Sequence, residues 1–213
     1  MKLYSSPFSS NARKVRLAAA LLGIPLELVD VDLGQGAQRR PEFLALNPMG
    51  RVPVLEDGGF VLAESGAIMA YLADTTPGNS LYPSDLRQRA DVNRWLFWGA
   101  SHWSPAFVAL AFENWLKKLL QLGEPDPAQV TRQEDILRGL ASVLDAHLAS
   151  RQWLSGSSIT LADLAVATSL GNADRAKFPV RSYRAVLAWF ERVQALDAWQ
   201  ATEPPVSTAS PTA

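Results

Sequence analysis

Up to about residue 74 the apolar positions alternate between a two-residue and a 3.6-residue repeat, and after Ser84 only the helical repeat remains. Lys2-Leu3-Tyr4 reads as a short strand. A helix is expected from Ser10 to Leu22, ended by Gly23 and Pro25, and a second strand over residues 26–33. A helical piece from Pro41 to Leu46 leads into a strand from Val52 to Glu56, and Asp57-Gly58-Gly59 turns the chain into Phe60-Val61-Leu62. Ile68, Tyr71 and Leu72 return to helical spacing across residues 64–73. The predicted order is βαβαββα.

Beyond the turn formers Thr75-Thr76-Pro77-Gly78-Asn79-Ser80, periodic segments at about 86–122, 127–149, 161–173 and 183–195 all read as helices. The pattern predicts an α/β domain over residues 1–76, a linker at 77–86, an all-helical bundle at 87–203 and a disordered tail at 204–213, which is rich in Pro, Ser, Thr and Ala. Pro105 removes one backbone donor from the first long helix and predicts a kink. Thr160-Leu161-Ala162-Asp163 has the residue types of a helix start, with the Thr hydroxyl accepting from the amide three residues on and Asp163 in the positive first turn.

Composition narrows the function. With 48% apolar and 19% charged residues the chain can pack a core, which excludes general disorder. Lys and Arg number 20 against 21 Asp and Glu, so no excess positive potential favours nucleic acid. There is no Cys, and His102 and His147 are the only histidines; disulfides, thiolate metal sites, Cys nucleophiles and a His-rich zinc cage are excluded together, and no metal is expected. Any thiol chemistry needs a thiol from outside. The apolar run 17–22 has its charges too far from the start, and Gly23 and Pro25 break it, so it reads as a helix face rather than a signal peptide. No stretch approaches the roughly 20 apolar residues that cross a bilayer, so a soluble, cytoplasmic protein is expected.

Four local features carry chemistry. Ser9-Ser10-Asn11 stands where strand one passes into helix one, where free amides and the helix dipole favour an anion; a plain N-cap is the ordinary reading of the serines, and the two roles are compatible in neighbouring serines. At Val52-Pro53 a cis bond leaves the Val52 amide and carbonyl free to pair with an extended peptide, while a trans edge-strand proline is the ordinary alternative. Glu64-Ser65 opens a helix directly after a strand: Ser65 suits a carboxylate and Glu64 an ammonium, or the two form a capping pair. Gln38-Arg39-Arg40 can hold a second carboxylate or lie solvated.

In order and spacing, Ser9-x-x-x-Arg13-x-Val15, Asn47-Pro48-x-Gly50-x-Val52-Pro53-Val54-Leu55, Glu64-Ser65-Gly66-Ala67-Ile68-x-x-Tyr71-Leu72 and Ser157-x-x-Thr160-Leu161-Ala162-Asp163 resemble the cytosolic glutathione S-transferase superfamily over nearly the whole chain. The resemblance implies a thioredoxin-like first domain that binds glutathione as co-substrate. The cysteinyl backbone pairs with Val52 ahead of a cis Pro53, and the γ-glutamyl end meets Glu64 and Ser65. The glycyl carboxylate approaches Gln38 and Arg39, and Arg51 is a further expected glutathione-binding residue. The sulfur points at the start of helix one. In theta-like and phi-like members the activating serine precedes the helix-one arginine by four residues, which selects Ser9. Ser10 matches the double serine of zeta-like members, whose following cysteine is replaced here by Asn11, and Asn11 resembles the asparagine of a nu-like group that reduces disulfides or peroxides.

The family's electrophile site lies in the helical domain. There Trp95, Trp98 and His102 follow helical spacing, with Trp103 and Phe107 on a neighbouring stripe, and all seven tryptophans lie beyond Ser80. Trp98, His102, Trp103 and Phe107 are the expected lining for a small hydrophobic electrophile, although such a stripe also suits a core. The resemblance further implies a homodimer, and the same fold also serves as a noncatalytic docking module.

Overall fold

Seven elements occupy the first part of the chain: β1 (Lys2–Ser5), α1 (Ser10–Leu22), β2 (Glu27–Asp30), α2 (Pro41–Leu46), β3 (Val54–Asp57), β4 (Phe60–Ala63) and α3 (Ser65–Asp74). The computed structural model describes residues 1–205, and all but the first two residues of the tail expected at 204–213 lie outside the described residues. The strands form one sheet in the order β2-β1-β3-β4. β1 and β2 run parallel, joined by α1 as the crossover, while β3 pairs antiparallel with both β1 and β4. Against the sequence pattern β1 and β4 each run one residue further, β2 is cut from 26–33 to 27–30 because its alternation continues past the last paired residue, and β3 starts two residues later and ends one later.

Helix α1 starts and stops for visible reasons. Ser9 is its N-cap, accepting from Ala12 N–H, and Gly23 closes it at φ 68°, with its N–H returned to the carbonyls of Ala19 and Ala20. A residue with a Cβ is strained in that left-handed geometry. α1 packs beside α3, burying Val15, Leu17, Ile68 and Leu72 completely. α2 contributes to a separate small core, in which Phe43 joins Val31, Val52 and Val54, with Tyr4 edge-on to the Phe43 ring at 6.3 Å.

The chain divides into two compact units, residues 1–83 together with 196–205, and residues 84–195. This corrects the sequence expectation for 196–203, which the helical repeat assigns to the second domain. A short helix near the end of the described residues, α11 (Asp197–Ala201), belongs instead to the first unit and packs on α1.

The second unit contains α4 (Leu86–Trp98), α5 (Ser104–Ala111), α6 (Lys117–Leu119), α7 (Pro127–Leu148), α8 (Leu161–Leu170), α9 (Ala173–Ala176) and α10 (Arg184–Gln194). α4, α5 and α6 make one helical run interrupted by wider π turns at Gly99–Trp103 and Phe112–Leu116. The first of these precedes Pro105, and its widened backbone accommodates the proline that the sequence marked as a helix fault.

Every residue of α8 is buried. Its start is the capping box expected at Thr160–Asp163, and Asp163 does more than cap. With no exposed surface, its carboxylate accepts from the amides of Leu154 and Thr160, the Thr160 hydroxyl and the Trp189 indole N–H. Burial raises its pKa, and these four donors oppose that rise.

Candidate functional site

The sheet register gathers the sequence-predicted residues at one end of the first unit. Tyr4 faces Val54, and Val54 faces Ala63, so the carboxyl end of β1, the entry to β3 and the exit of β4 lie together. Ser9 to Asn11 follow β1, Val52 precedes β3 and Glu64-Ser65 follow β4. β2 runs parallel to β1, so the loop that leads to Gln38 and Arg39 leaves from the same end. The region beyond the carboxyl ends of parallel strands is where α/β sheets place ligands.

Ser9 is half-buried and has two faces. Its Oγ accepts the Ala12 N–H at 3.2 Å, which fixes the side chain as a cap and leaves its hydroxyl proton uncommitted. Ser10 is half-buried and Asn11 exposed. The amides of Ser10 and Asn11 have no protein acceptor among the described residues, as expected in a first helical turn. Cap and donor are therefore compatible roles for the same serine.

The loop before β3 is braced by Asn47, which is 6% exposed. Its Nδ2 donates to the Arg51 carbonyl and its Oδ1 accepts from Met49 N–H. Gly50 stands at φ 60°, and a Cβ there would lie 3.0 Å from the Gln38 carbonyl oxygen. Only glycine combines that angle with so close an approach, and the contact ties the 47–51 loop to Gln38. The side chain of Gln38 has its Oε1 enclosed without a donor, a demand that protein groups leave unmet. Arg39 and Arg51 are exposed.

The Val52-Pro53 peptide is cis. Val52 stands outside the ladder, whose first paired residue in β3 is Val54, and its backbone groups bond to no protein partner among the described residues. Glu64 has φ 70° and ψ 113°, a backbone conformation disfavoured for any residue with a Cβ. Its side chain does not cap α3, so the ordinary capping explanation for Glu64 fails. The strain holds an exposed carboxylate beside the half-buried Ser65 at the start of α3.

The four aromatic and histidine positions in the second unit separate. Trp103 is fully buried, its indole N–H donating to the Val166 carbonyl, and Phe107 is 2% exposed against Trp103 and Phe178. Both are core residues in this structure and do not line a surface. Trp98 is half-buried, stacked on Trp103 with ring centres 5.5 Å apart, and His102 is exposed.

Two residues near α1 escaped the sequence reading. Phe8, 49% exposed, stands in the turn closed by Ser9 N–H to the Ser6 carbonyl. Its signal was an aromatic residue between two serine pairs with no periodic apolar partner. Lys14 is buried within α1 and donates to Asn11 Oδ1 at 2.9 Å, and burial lowers its pKa to about 8. A lysine inside a helical pattern gives no such signal. Among the described residues no cluster of His, Asp or Glu suits a metal, and no helix is long and apolar enough to cross a membrane.

Residues 1–74 match the glutathione S-transferase N-terminal domain and residues 127–192 the glutathione S-transferase C-terminal domain. The chain is 38% identical over 208 residues to glutathione S-transferase 3 of Zea mays, covering 95% of this chain and 92% of that protein. It is 36% identical over 166 residues to human glutathione S-transferase theta-2B, covering 77% and 68%. Among solved structures, the glutathione transferase URE2P8 of Phanerochaete chrysosporium, with oxidized glutathione, is similar at a TM-score of 0.86 and 25% identity, covering 94% of this chain and 92% of that one.

Proposed function

This chain belongs to the glutathione S-transferase superfamily and is a glutathione transferase, and from that premise we propose that Ser9 activates the glutathione thiol for attack on a small hydrophobic electrophile. The observation that carries the assignment is the division of labour in one hydroxyl: Ser9 Oγ accepts from Ala12 N–H and keeps its own proton for an incoming sulfur. A free thiol titrates near 8.5, and lowering that by roughly two units takes about 2.8 kcal/mol of preferential stabilisation of the anion. A hydroxyl donor and the free amides of a helix start are suited to supply it.

The remaining contacts follow the chemistry of the tripeptide. Its cysteinyl backbone pairs with the Val52 amide and carbonyl in the manner of an added strand. The γ-glutamyl ammonium meets the strained Glu64, and its carboxylate meets the Ser65 hydroxyl and amide. The glycyl carboxylate is received by Gln38, Arg39 and Arg51. Ser10 and Asn11 are the neighbouring donors should a substrate sulfur sit deeper along α1. The chain contains no Cys, so the nucleophile is the bound tripeptide itself.

A second reading rests on Asn11, whose exposed amide suits a disulfide or peroxide as the sulfur's target and whose fold relative was solved with oxidized glutathione. The test is direct. Glutathione affinity is measured by calorimetry, and turnover with an aryl halide, a hydroperoxide and a mixed disulfide is compared in wild type and Ser9→Ala. Retained affinity with turnover reduced about 100-fold supports Ser9 as the activator. Equal turnover overturns it. The preferred co-substrate separates transferase from reductase, and lack of glutathione binding by wild type favours a docking module.

A further inference from the structure

Resting on the reading of glutathione activation at α1, we propose that Lys14 is a positioning residue: its ammonium holds the Asn11 side-chain oxygen and so turns the Asn11 NH2 group to the mouth of the helix, where it donates to the glutathione sulfur. The geometry is specific. Lys14 is 4% exposed and its Nζ lies 2.9 Å from Asn11 Oδ1, one helical turn back. An ammonium has donors and no acceptor, so it selects the oxygen of the amide and leaves the nitrogen outward. Asn11 is exposed, and its Nδ2 donates to no protein group among the described residues. An asparagine free to rotate would offer an anion its oxygen as readily as its nitrogen; one held by a cation offers hydrogens only.

Burying an ammonium is costly, and burial lowers this one to about pH 8. An apolar side chain of similar length would fill the same space at lower cost. The flanking cations of α1 are engaged elsewhere: Arg13 donates to the Trp199 carbonyl and Arg16 to the Pro7 carbonyl. Lys14 is thus the α1 cation directed at the first turn. The arrangement puts three kinds of donor at one helix end, the Ser9 hydroxyl, the Ser10 and Asn11 amides and the Asn11 side chain, with a positive charge one turn behind them.

The experiment uses the full chain with glutathione as the probe. Wild type, Lys14→Met, Asn11→Asp and Ser9→Ala are compared for glutathione affinity by calorimetry, for the ultraviolet thiolate absorption of bound glutathione at neutral pH, and for kcat and KM with an aryl halide. Lys14→Met is expected to keep glutathione affinity within about threefold while thiolate absorption and kcat fall about tenfold. Asn11→Asp keeps an acceptor for Lys14 but offers no hydrogen, and is expected to show at least the same loss. Wild-type thiolate absorption and kcat in Lys14→Met overturn the proposal, as does a change confined to KM. If circular dichroism shows Lys14→Met unfolded, Asn11→Asp decides, and an unchanged thiolate signal there overturns the proposal. A wild type that binds no glutathione removes this proposal and the activation reading together. A thiolate signal lost in Ser9→Ala and kept in both other variants removes this proposal alone.

Discussion

The guanidinium of Arg13 lies 3.9 Å from the centre of the Trp199 ring, and its Nη2 donates to the Trp199 carbonyl at 3.0 Å. One residue therefore fastens the end of the described chain to the helix that carries Ser9, through a face-on cation contact and a backbone hydrogen bond. Glu203 adds a longer ion pair at 3.8 Å, and burial nevertheless lowers the Arg13 pKa to about 10. Trp199→Ala is expected to cost about 3–5 kcal/mol in urea unfolding, from the cavity left by a fully packed indole. Arg13→Met together with Trp199→Phe should show a coupling of about 1–2 kcal/mol in a double-mutant cycle; additive effects would contradict the clasp.

Capping and activation by Ser9 separate in a pair of substitutions. Ser9→Ala loses the acceptor for Ala12 N–H and is expected to cost about 1 kcal/mol, whereas Ser9→Gly costs only a few tenths, because glycine is tolerated at an N-cap. Both lose the hydroxyl proton, so both should lose about 100-fold in turnover. Thermal unfolding and kcat measured on the same two variants check the separation.

Glu64 gives a test in the opposite direction. Its φ of 70° is paid for by the rest of the fold, and Glu64→Gly relieves it. A gain of about 1 kcal/mol in unfolding free energy is expected, alongside at least tenfold weaker glutathione binding. Glu64→Gln keeps the strain and removes the charge, so it should weaken binding without the gain in stability.

Lys14 links activity to pH-dependent stability. Its folded pKa of about 8 lies below the usual lysine value of 10.5, so between these values the unfolded chain binds more protons than the native one. Stability therefore rises with pH across that window as the buried ammonium is neutralised, and below about pH 8 the penalty stands in full, up to about 3 kcal/mol. Lys14→Met should raise stability at neutral pH and flatten the rise from pH 8 to 10.5, as measured by urea unfolding at a series of pH values.

Asp163 predicts the reverse of a tolerant capping residue. Asp163→Ala leaves the amides of Leu154 and Thr160 and the Trp189 indole N–H without their acceptor in a fully buried place. A loss of about 4 kcal/mol or more is expected in denaturant unfolding, several times that of an exposed N-cap.

Helix α1 was legible end to end, because Ser9 and Gly23 are the residues that physically begin and end it. The hairpin of β3 and β4 was legible for the same reason, in Asp57-Gly58-Gly59. The facing of Trp103 and Phe107 was not. A π turn adds a residue to the helical repeat at 99–103, so spacings counted across it no longer report a common face. The return of 196–205 to the first unit was hidden because an amphipathic pattern shows that a face is covered without showing by what. Glu64 was legible as a candidate from its position after a strand, while its backbone angle was not, since no local residue type calls for it. The Lys14 contact was invisible for a related reason: lysine in a helix is ordinarily solvated, and only packing reverses that.

The closing of residues 196–205 onto α1 also sets a timetable for synthesis. The first unit lacks part of its cover until residues 196–205 have left the ribosome, so during translation Arg13 waits without the Trp199 ring that will seat it. The helical unit, contained within residues 84–195, has all its parts earlier. The unit that holds Ser9 is thus begun before the helical unit and completed after residue 195.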